Sequence, residues 1–210
     1  DADRWKNIYV MGDVHGCTAE FDRLVEKIDL QRDELLICVG DVIEKGPDNR
    51  GMVERVRDNP NIRTVLGNSE IGYLRRDIHV PGLRKQDRAF VHRWPLVSAW
   101  RGSIVVHGGI NPRKPIAEHS LHSILTIRSI EHGTDYRAPY WFDEYRGDIR
   151  IFFGHTVVRE PVVRNNVVGL DTGCVYGGGL TAYDCGQDEY VSVESEKAYR
   201  SRPDEAYYSA

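Results

Sequence analysis

The sequence predicts an α/β fold in a single domain, and three observations carry that expectation. Short apolar runs ending in Gly plus a polar residue alternate with segments whose apolar residues recur at helical spacing. The polar residues closing the first three runs, Asp13, Asp41 and Asn68, lie 28 and 27 residues apart, the length of a strand–helix–strand crossover. With 210 residues and 40% hydrophobic content, the chain can bury a core without disulfides or structural metals.

"IYVMGD" reads as the first strand, and Phe21, Leu24, Val25 and Ile28 mark the helix behind it. "ELLICVGD" repeats the strand, Met52, Val53 and Val56 mark a second helix, and "IRTVLGN" is the third strand. Ligands of open α/β sheets bind at the carboxyl ends of strands, so three polar side chains at one edge nominate a site. Residues 73–93 carry Arg75, Arg76, Arg84, Lys85, Arg88 and Arg93, expected on a helix or loop crossing the sheet edge. A solvated charged face is the plain reading, and a basic rim for an anionic substrate is the functional one. "SIVVHGGI" gives a fourth strand ending at His107, "SLHSILTIRSI" a helix, and "IRIFFGHT" a fifth strand ending at His155. Alternating polarity in "PVVRNNVVGLDTG" and "LTAYDCGQDEYVSV" predicts antiparallel hairpins. The domain is expected to span residues 1–193, with a polar, loosely ordered tail over 194–210.

A net charge of -4 gives no reason to expect nucleic acid or an anionic membrane as partner. Cys17, Cys38, Cys174 and Cys185 form no CxxC pair and read as reduced thiols. The N-terminus is charged, and no stretch approaches the roughly 18 apolar residues of a membrane span, so a soluble cytoplasmic protein is expected.

Five segments place a ligand-type residue just after a strand: Asp13 and His15 in "GDVHG", Asp41 in "GDVIEKG", Asn68 in "GNSE", His107 in "HGGI" and His155 in "GHT". Carboxylate, imidazole and amide oxygen together suit borderline divalent ions such as manganese, iron or zinc. One ion would not use six ligands plus water, so two ions sharing Asp41 as a bridge is the expected count. Asp171 in "LDTG" reads either as a partner for a histidine ligand or as a turn cap. Tyr73, Tyr140 and Trp141 could stack on an adenine, with packing as the plainer reading. "GGG" at 177–179 reads as a turn, and His79, His92, His119, His122 and His132 as surface or helix histidines.

In this order and spacing, the five motifs resemble the phosphoprotein phosphatase superfamily of dinuclear metallophosphoesterases, from about residue 8 to residue 183. "KNIYVMGDVHGC" is similar to bacterial and phage serine/threonine phosphatases, while "GPDN" and "DTGCVYGGGLTA" resemble bacterial diadenosine tetraphosphatases equally well. The resemblance implies a calcineurin-like sandwich of two facing mixed sheets flanked by helices. It also implies that Asp13, His15 and Asp41 hold one metal and Asp41, Asn68, His107 and His155 the other. Manganese is the expected ion, with iron, zinc and nickel as alternatives. Arg128 in "LTIRSI" matches the family's phosphate-binding arginine, although Thr126 replaces the usual Trp before it; Lys45 and Asn68 complete the expected phosphate contacts.

The chain departs from the family at its proton donor. Where the family has GNH, this sequence has Ser69, and where it has the Asp and Arg of "GDxxDRG", this sequence has Glu44 and Lys45. Serine cannot protonate a leaving group near neutral pH, and losing a general acid costs about 10²- to 10⁴-fold. The leading expectation is a phosphomonoesterase of the serine/threonine protein phosphatase type, slowed by this change. One alternative is a hydrolase of the bis(5'-nucleosyl)-tetraphosphatase type, because a phosphate leaving from an anhydride needs no proton. The other is a metal-bound protein without turnover. A phosphoprotein or a dinucleoside polyphosphate is the expected partner.

Overall fold

Both faces of the first strand are apolar, and the fold explains why: one face meets a second sheet and the other meets helices. The computed structural model describes residues 4–202. Along the chain come β1 (Asn7–Met11), α1 (Thr18–Lys27), β2 (Glu34–Cys38), α2 (Asn49–Asp58), β3 (Ile62–Thr64), α3 (Asn68–Arg75) and α4 (Lys85–Val91). They are followed by β4 (Val97–Trp100), β5 (Ser103–Val106), α5 (Leu121–Thr126), α6 (Trp141–Glu144), β6 (Arg150–Phe153), β7 (Val162–Arg164), β8 (Val167–Gly169), β9 (Gly179–Asp184) and β10 (Glu189–Glu194). One sheet has the order β10-β9-β1-β2-β3 and the other β4-β5-β6-β8-β7. Each sheet is mixed and contains three neighbouring parallel strands: β1, β2 and the edge strand β3 in the first, β5, β6 and β8 in the second.

Side chains alternate across these strands. Ile8, Val10, Leu35, Ile37 and Val39 join Val105, Phe152 and Val168 in the core between the sheets. Their neighbours Tyr9, Met11, Leu36 and Cys38 pack outward on Phe21 and Leu24 of α1 and Met52, Val53 and Val56 of α2. On the far side, Val106, Ile151, Phe153 and Val167 meet Trp141 and Phe142 of α6. Coverage on both faces is what makes parallel strands read as continuous apolar runs. The α/β sandwich with two facing mixed sheets flanked by helices is the architecture expected from the sequence.

Several expectations are corrected in detail. β4 was not expected as a strand: it pairs antiparallel with β5 through a turn at Arg101 and Gly102, both with positive φ. α5 ends at Thr126, two residues short of Arg128. As far as residue 200, the tail is held down. Ser195 N–H donates to Gly178 O, Tyr199 N–H donates to Val175 O, and the fully buried Glu20 carboxylate accepts from Glu196 N–H at 2.9 Å and from the Tyr199 hydroxyl at 3.1 Å. Residues 203–210 of the expected tail lie outside the described residues. No helix of the described residues is long and apolar enough to cross a membrane.

Candidate metal centre

The six parallel strands of the two sheets each end at a polar residue in or beside one cavity. From the first sheet come Asp13 and His15 after β1, Asp41 after β2, and Asn68 after β3; from the second come His107 after β5, His155 after β6 and Asp171 after β8. Asp13, His15, Asp41, Asn68, His155 and Asp171 line a cavity of about 290 Å³, and His107 closes its floor against Asn68.

The glycines preceding these residues are a steric requirement. A Cβ on Gly67 would stand 2.1 Å from Asp41 Oδ1, and one on Gly154 would stand 1.9 Å from Asp13 Oδ1. Only a residue without a side chain lets each strand end close against the carboxylate of its neighbour. The strain continues into the site itself, because His15, Asp41 and His155 all have positive φ, at 51°, 47° and 61°. Such conformations cost roughly 1–3 kcal/mol each and persist where the surroundings over-determine them.

Two histidines are fixed in tautomer by the backbone. His15 Nδ1 donates to Ile43 O and His107 Nδ1 donates to Val39 O, both at 3.0 Å. In the neutral ring this leaves each Nε2 as a bare lone pair facing inward. Burial keeps the rings neutral: it pushes His15 down to about 3, lowers His107, and holds His155 well below its ordinary range.

The inward atoms are acceptors facing acceptors. His107 Nε2 lies 3.0 Å from Asn68 Oδ1 and 3.4 Å from Asp41 Oδ1, while His15 Nε2 lies 3.5 Å from Asp41 Oδ2. His155 Nε2 is buried with no partner among the described residues. Burial, together with the charges of Asp171 and Asp41, drives the Asp13 carboxyl well above its usual range, and burial raises Asp171 to about 6. Asp41 goes the other way: burial opposes its ionisation, but the Lys45 ammonium and the Ser69 N–H favour the carboxylate and its carboxyl lies well below the usual range. The Lys45 ammonium already donates to His15 Nε2 at 3.0 Å. Converging lone pairs, an orphaned imidazole nitrogen and crowded carboxylates call for cations, and a mixed nitrogen and oxygen donor set suits borderline divalent ions. Oxygens of Asp41 face a histidine on either side, which is the geometry a shared carboxylate needs.

The calcineurin-like phosphoesterase family model matches residues 6–179. The chain belongs to the calcineurin-like phosphoesterases. Among curated proteins it is 27% identical to a bis(5'-nucleosyl)-tetraphosphatase of the asymmetrical type from Geobacillus sp. (strain WCH70), over 91% of this chain and 96% of the relative. It is also 27% identical to a symmetrical bis(5'-nucleosyl)-tetraphosphatase from Chromohalobacter salexigens, over 92% of this chain and 99% of the relative. Among solved structures, one assigned as a candidate diadenosine tetraphosphatase superposes with a TM-score of 0.80 at 23% identity, covering 90% of this chain and 93% of the other. This phosphoesterase is therefore a hydrolase of phosphoric esters or anhydrides, from a family that works with divalent metals.

Beneath the cavity the phosphoesterase carries a second tier of contacts. Glu70 is fully buried, and its carboxylate accepts N–H bonds from Gly67, Asp41, Val42 and Ile43 at 2.8 to 3.2 Å. Burial and the Asp41 charge push Glu70 up to about 8, against the pull of those donors. It ties the Asp41 loop to the start of α3, and sequence reasoning passed over it. Glu70→Gln turns an amide nitrogen toward N–H donors. We expect it to cost about 2–3 kcal/mol of stability, read as a lower melting temperature in thermal denaturation.

Ser69 and Glu44 stand off the cavity lining but meet each other: Ser69 Oγ donates to Glu44 Oε2 at 2.7 Å. Lys45 and Arg128 line the cavity as expected for phosphate contacts. Arg128 donates from its Nη1 to Thr134 O and from its Nη2 to His155 O, which pins the guanidinium while its Nε–H has no partner among the described residues.

Other sequence candidates fall away. Tyr73, Tyr140 and Trp141 are buried core residues, not an adenine platform. Of the basic run from Arg75 to Arg93, no member lines the cavity, and Arg88 is spent on Tyr73 O and Leu74 O. "GGG" forms the turn that starts β9, and the five remaining histidines lie outside the cavity. Asp171 caps a turn, one of the two readings, accepting Gly173 N–H at 3.1 Å, and it also lines the cavity. Tyr136 and Tyr176 also line the cavity and were missed. Tyr176 had a local cue in "DTGCVYGGG" close after a strand end; Tyr136 sits in a loop with no periodic signal.

Proposed function

We propose that this phosphoesterase hydrolyses the phosphoric anhydride of dinucleoside polyphosphates. In this reading Asp13, His15 and Asp41 hold one divalent ion, and Asp41, Asn68, His107 and His155 the other, with manganese as the ion of choice. The phosphomonoesterase reading, put first from the sequence, gives way to this one. The contact between Ser69 and Glu44 carries the argument. A serine hydroxyl committed to a carboxylate at 2.7 Å cannot protonate the alkoxide that leaves a serine or threonine ester. A phosphate leaving from an anhydride titrates near ~6 and departs without a proton. The names of the relatives, asymmetrical and symmetrical tetraphosphatases alike, support the same substrate class.

Divalent ions bound in this cradle supply an activated water and a clamp on the phosphate oxygens. The protein's own groups then position and neutralise. Against the pull of burial, Asp41, Tyr176, Glu44 and Asp171 hold the Lys45 ammonium charged, so it meets the phosphate chain as a cation. Arg128 is pinned by the two backbone carbonyls and acts as a fixed positive charge on the cavity wall. Phosphoryl transfer asks little covalent chemistry of a protein, so positioning and charge carry the rate.

The test is hydrolysis of diadenosine tetraphosphate and of a phosphoserine peptide side by side with added manganese. We expect kcat/KM for the anhydride to exceed that for the peptide by about 10²-fold or more. Equal or faster peptide turnover returns the function to a phosphomonoesterase. A protein that binds manganese and turns over neither substrate is the non-catalytic alternative.

A further inference from the structure

With Ser69 turned to Glu44 off the cavity lining, two phenols line the cavity, Tyr136 and Tyr176, and Tyr176 faces the Lys45 ammonium, which lies 5.6 Å from its ring centroid. Tyr136 lies in the loop between α5 and α6 and lines the same cavity as Asp13, Asp41, His155 and Asp171. Its phenol oxygen accepts Val157 N–H at 3.1 Å, and the Arg128 guanidinium carbon lies 4.4 Å from its ring centroid. A hydroxyl has one proton to give and two lone pairs to receive. Here the receiving side is engaged by an N–H and drawn by a neighbouring cation. No acceptor takes the phenol's own proton among the described residues. Burial keeps that proton in place, raising the phenol above its usual range, while Arg128 and the Val157 N–H pull more weakly the other way. Tyr136 is thus a neutral donor fixed by Val157 and Arg128, in a cavity it shares with carboxylates, imidazoles, two cations, Asn68, Val157 and Tyr176.

We propose that the Tyr136 phenol is a catalytic hydrogen-bond donor to the substrate's phosphate chain, filling the place left by the donor that Ser69 cannot be. No proton is transferred: the phenol keeps its O–H bond and steadies negative charge on a phosphate oxygen, which is what an anhydride leaving group needs. Val157 and Arg128 act through it by fixing the hydroxyl. The inference rests on the phosphoric hydrolase reading, not on which ester or anhydride is native.

The test uses the full chain loaded with manganese and the Tyr136→Phe variant, which keeps the ring beneath Arg128 and removes only the hydroxyl. Binding of inorganic phosphate is measured by calorimetry, kcat/KM is measured for diadenosine tetraphosphate, and manganese affinity and melting temperature are measured in parallel. A hydrogen bond to a charged acceptor corresponds to about 10- to 100-fold. We expect phosphate affinity to fall about tenfold and kcat/KM by about 10- to 100-fold, with manganese affinity unchanged and the melting temperature lowered only modestly by the loss of the acceptor for Val157 N–H. Phosphate affinity and kcat/KM that stay within about threefold of the parent overturn the proposal. So does a loss that merely follows a fall in manganese affinity, or that vanishes when the variant is assayed well below its own melting temperature, since the phenol would then be a prop for Val157 and Arg128. If the parent cleaves no anhydride, the substrate proposal fails, while the phosphate titration still decides the role of Tyr136.

Discussion

Asp41→Asn is expected to lower kcat/KM for the anhydride by about 10³-fold or more and to reduce the manganese bound per chain, because both ions of the proposed centre share this carboxylate. Asn is the informative replacement. Asp41 sits at φ 47°, a left-handed conformation that Asn tolerates and most residues do not, so backbone strain is not added. The amide oxygen can also keep the bond from Ser69 N–H, which now reaches Asp41 Oδ1 at 2.8 Å. What disappears is the charge. The Lys45 ammonium and the Ser69 N–H favour the Asp41 carboxylate against the pull of burial, and an amide cannot replace that charge between two histidine nitrogens. Equilibrium dialysis with metal analysis and steady-state kinetics on the same preparation check both halves. A variant that retains its manganese and its rate would remove Asp41 from the centre.

The candidate centre was legible because its signals are local. Each of Gly12, Gly40, Gly67 and Gly154 immediately precedes a candidate ligand, so the pairing of glycine and ligand is visible in sequence even though what each glycine makes room for lies far along the chain. The parallel strands were legible for a related reason: burial on both faces leaves an unbroken apolar run. β4 escaped because its exposure runs against its polarity: on this edge strand Val97 and Ala99 are exposed while Ser98 and Trp100 are half-buried, so no period-two signal stands out. Roles that depend on long-range contact could not be read. Nothing in "GNSE" says that Glu70 receives four backbone N–H groups, three of them from residues 41–43. Nothing in "TIRSI" says that Arg128 donates to two carbonyls. The aromatic candidates failed for the same reason. Tyr140 and Trp141 were judged by residue type, whereas which face of the second sheet they cover is fixed by tertiary packing.

Ser69→His is expected to raise hydrolysis of phosphomonoesters by about 10²- to 10⁴-fold while leaving the anhydride rate within a few-fold of the parent. The site is prepared for the exchange on one side, since Glu44 already points a carboxylate oxygen at the side chain of residue 69 from 2.7 Å. An imidazole there would donate one ring N–H to Glu44 and leave its other nitrogen to serve the leaving oxygen, the pairing that orients histidines elsewhere. Its backbone is held in place by the bond from Ser69 N–H to Asp41, so the new ring starts from a fixed point beside the centre. The pH profile gives an independent check. Only the protonated imidazole can act as the acid, so the gained ester activity must fade as pH rises through its titration, while the anhydride rate shows no such new limb. Ser69 is only 1% exposed, so the larger ring has to find room; overpacking of this kind costs about 1–3 kcal/mol, and melting curves separate it from the chemistry. The double variant Ser69→His with Glu44→Ala completes the argument. If the gain needs Glu44, this chain differs from an ester phosphatase by one proton donor; if the gain survives without Glu44, the buried pair is structural and the choice between ester and anhydride is made elsewhere in the cavity.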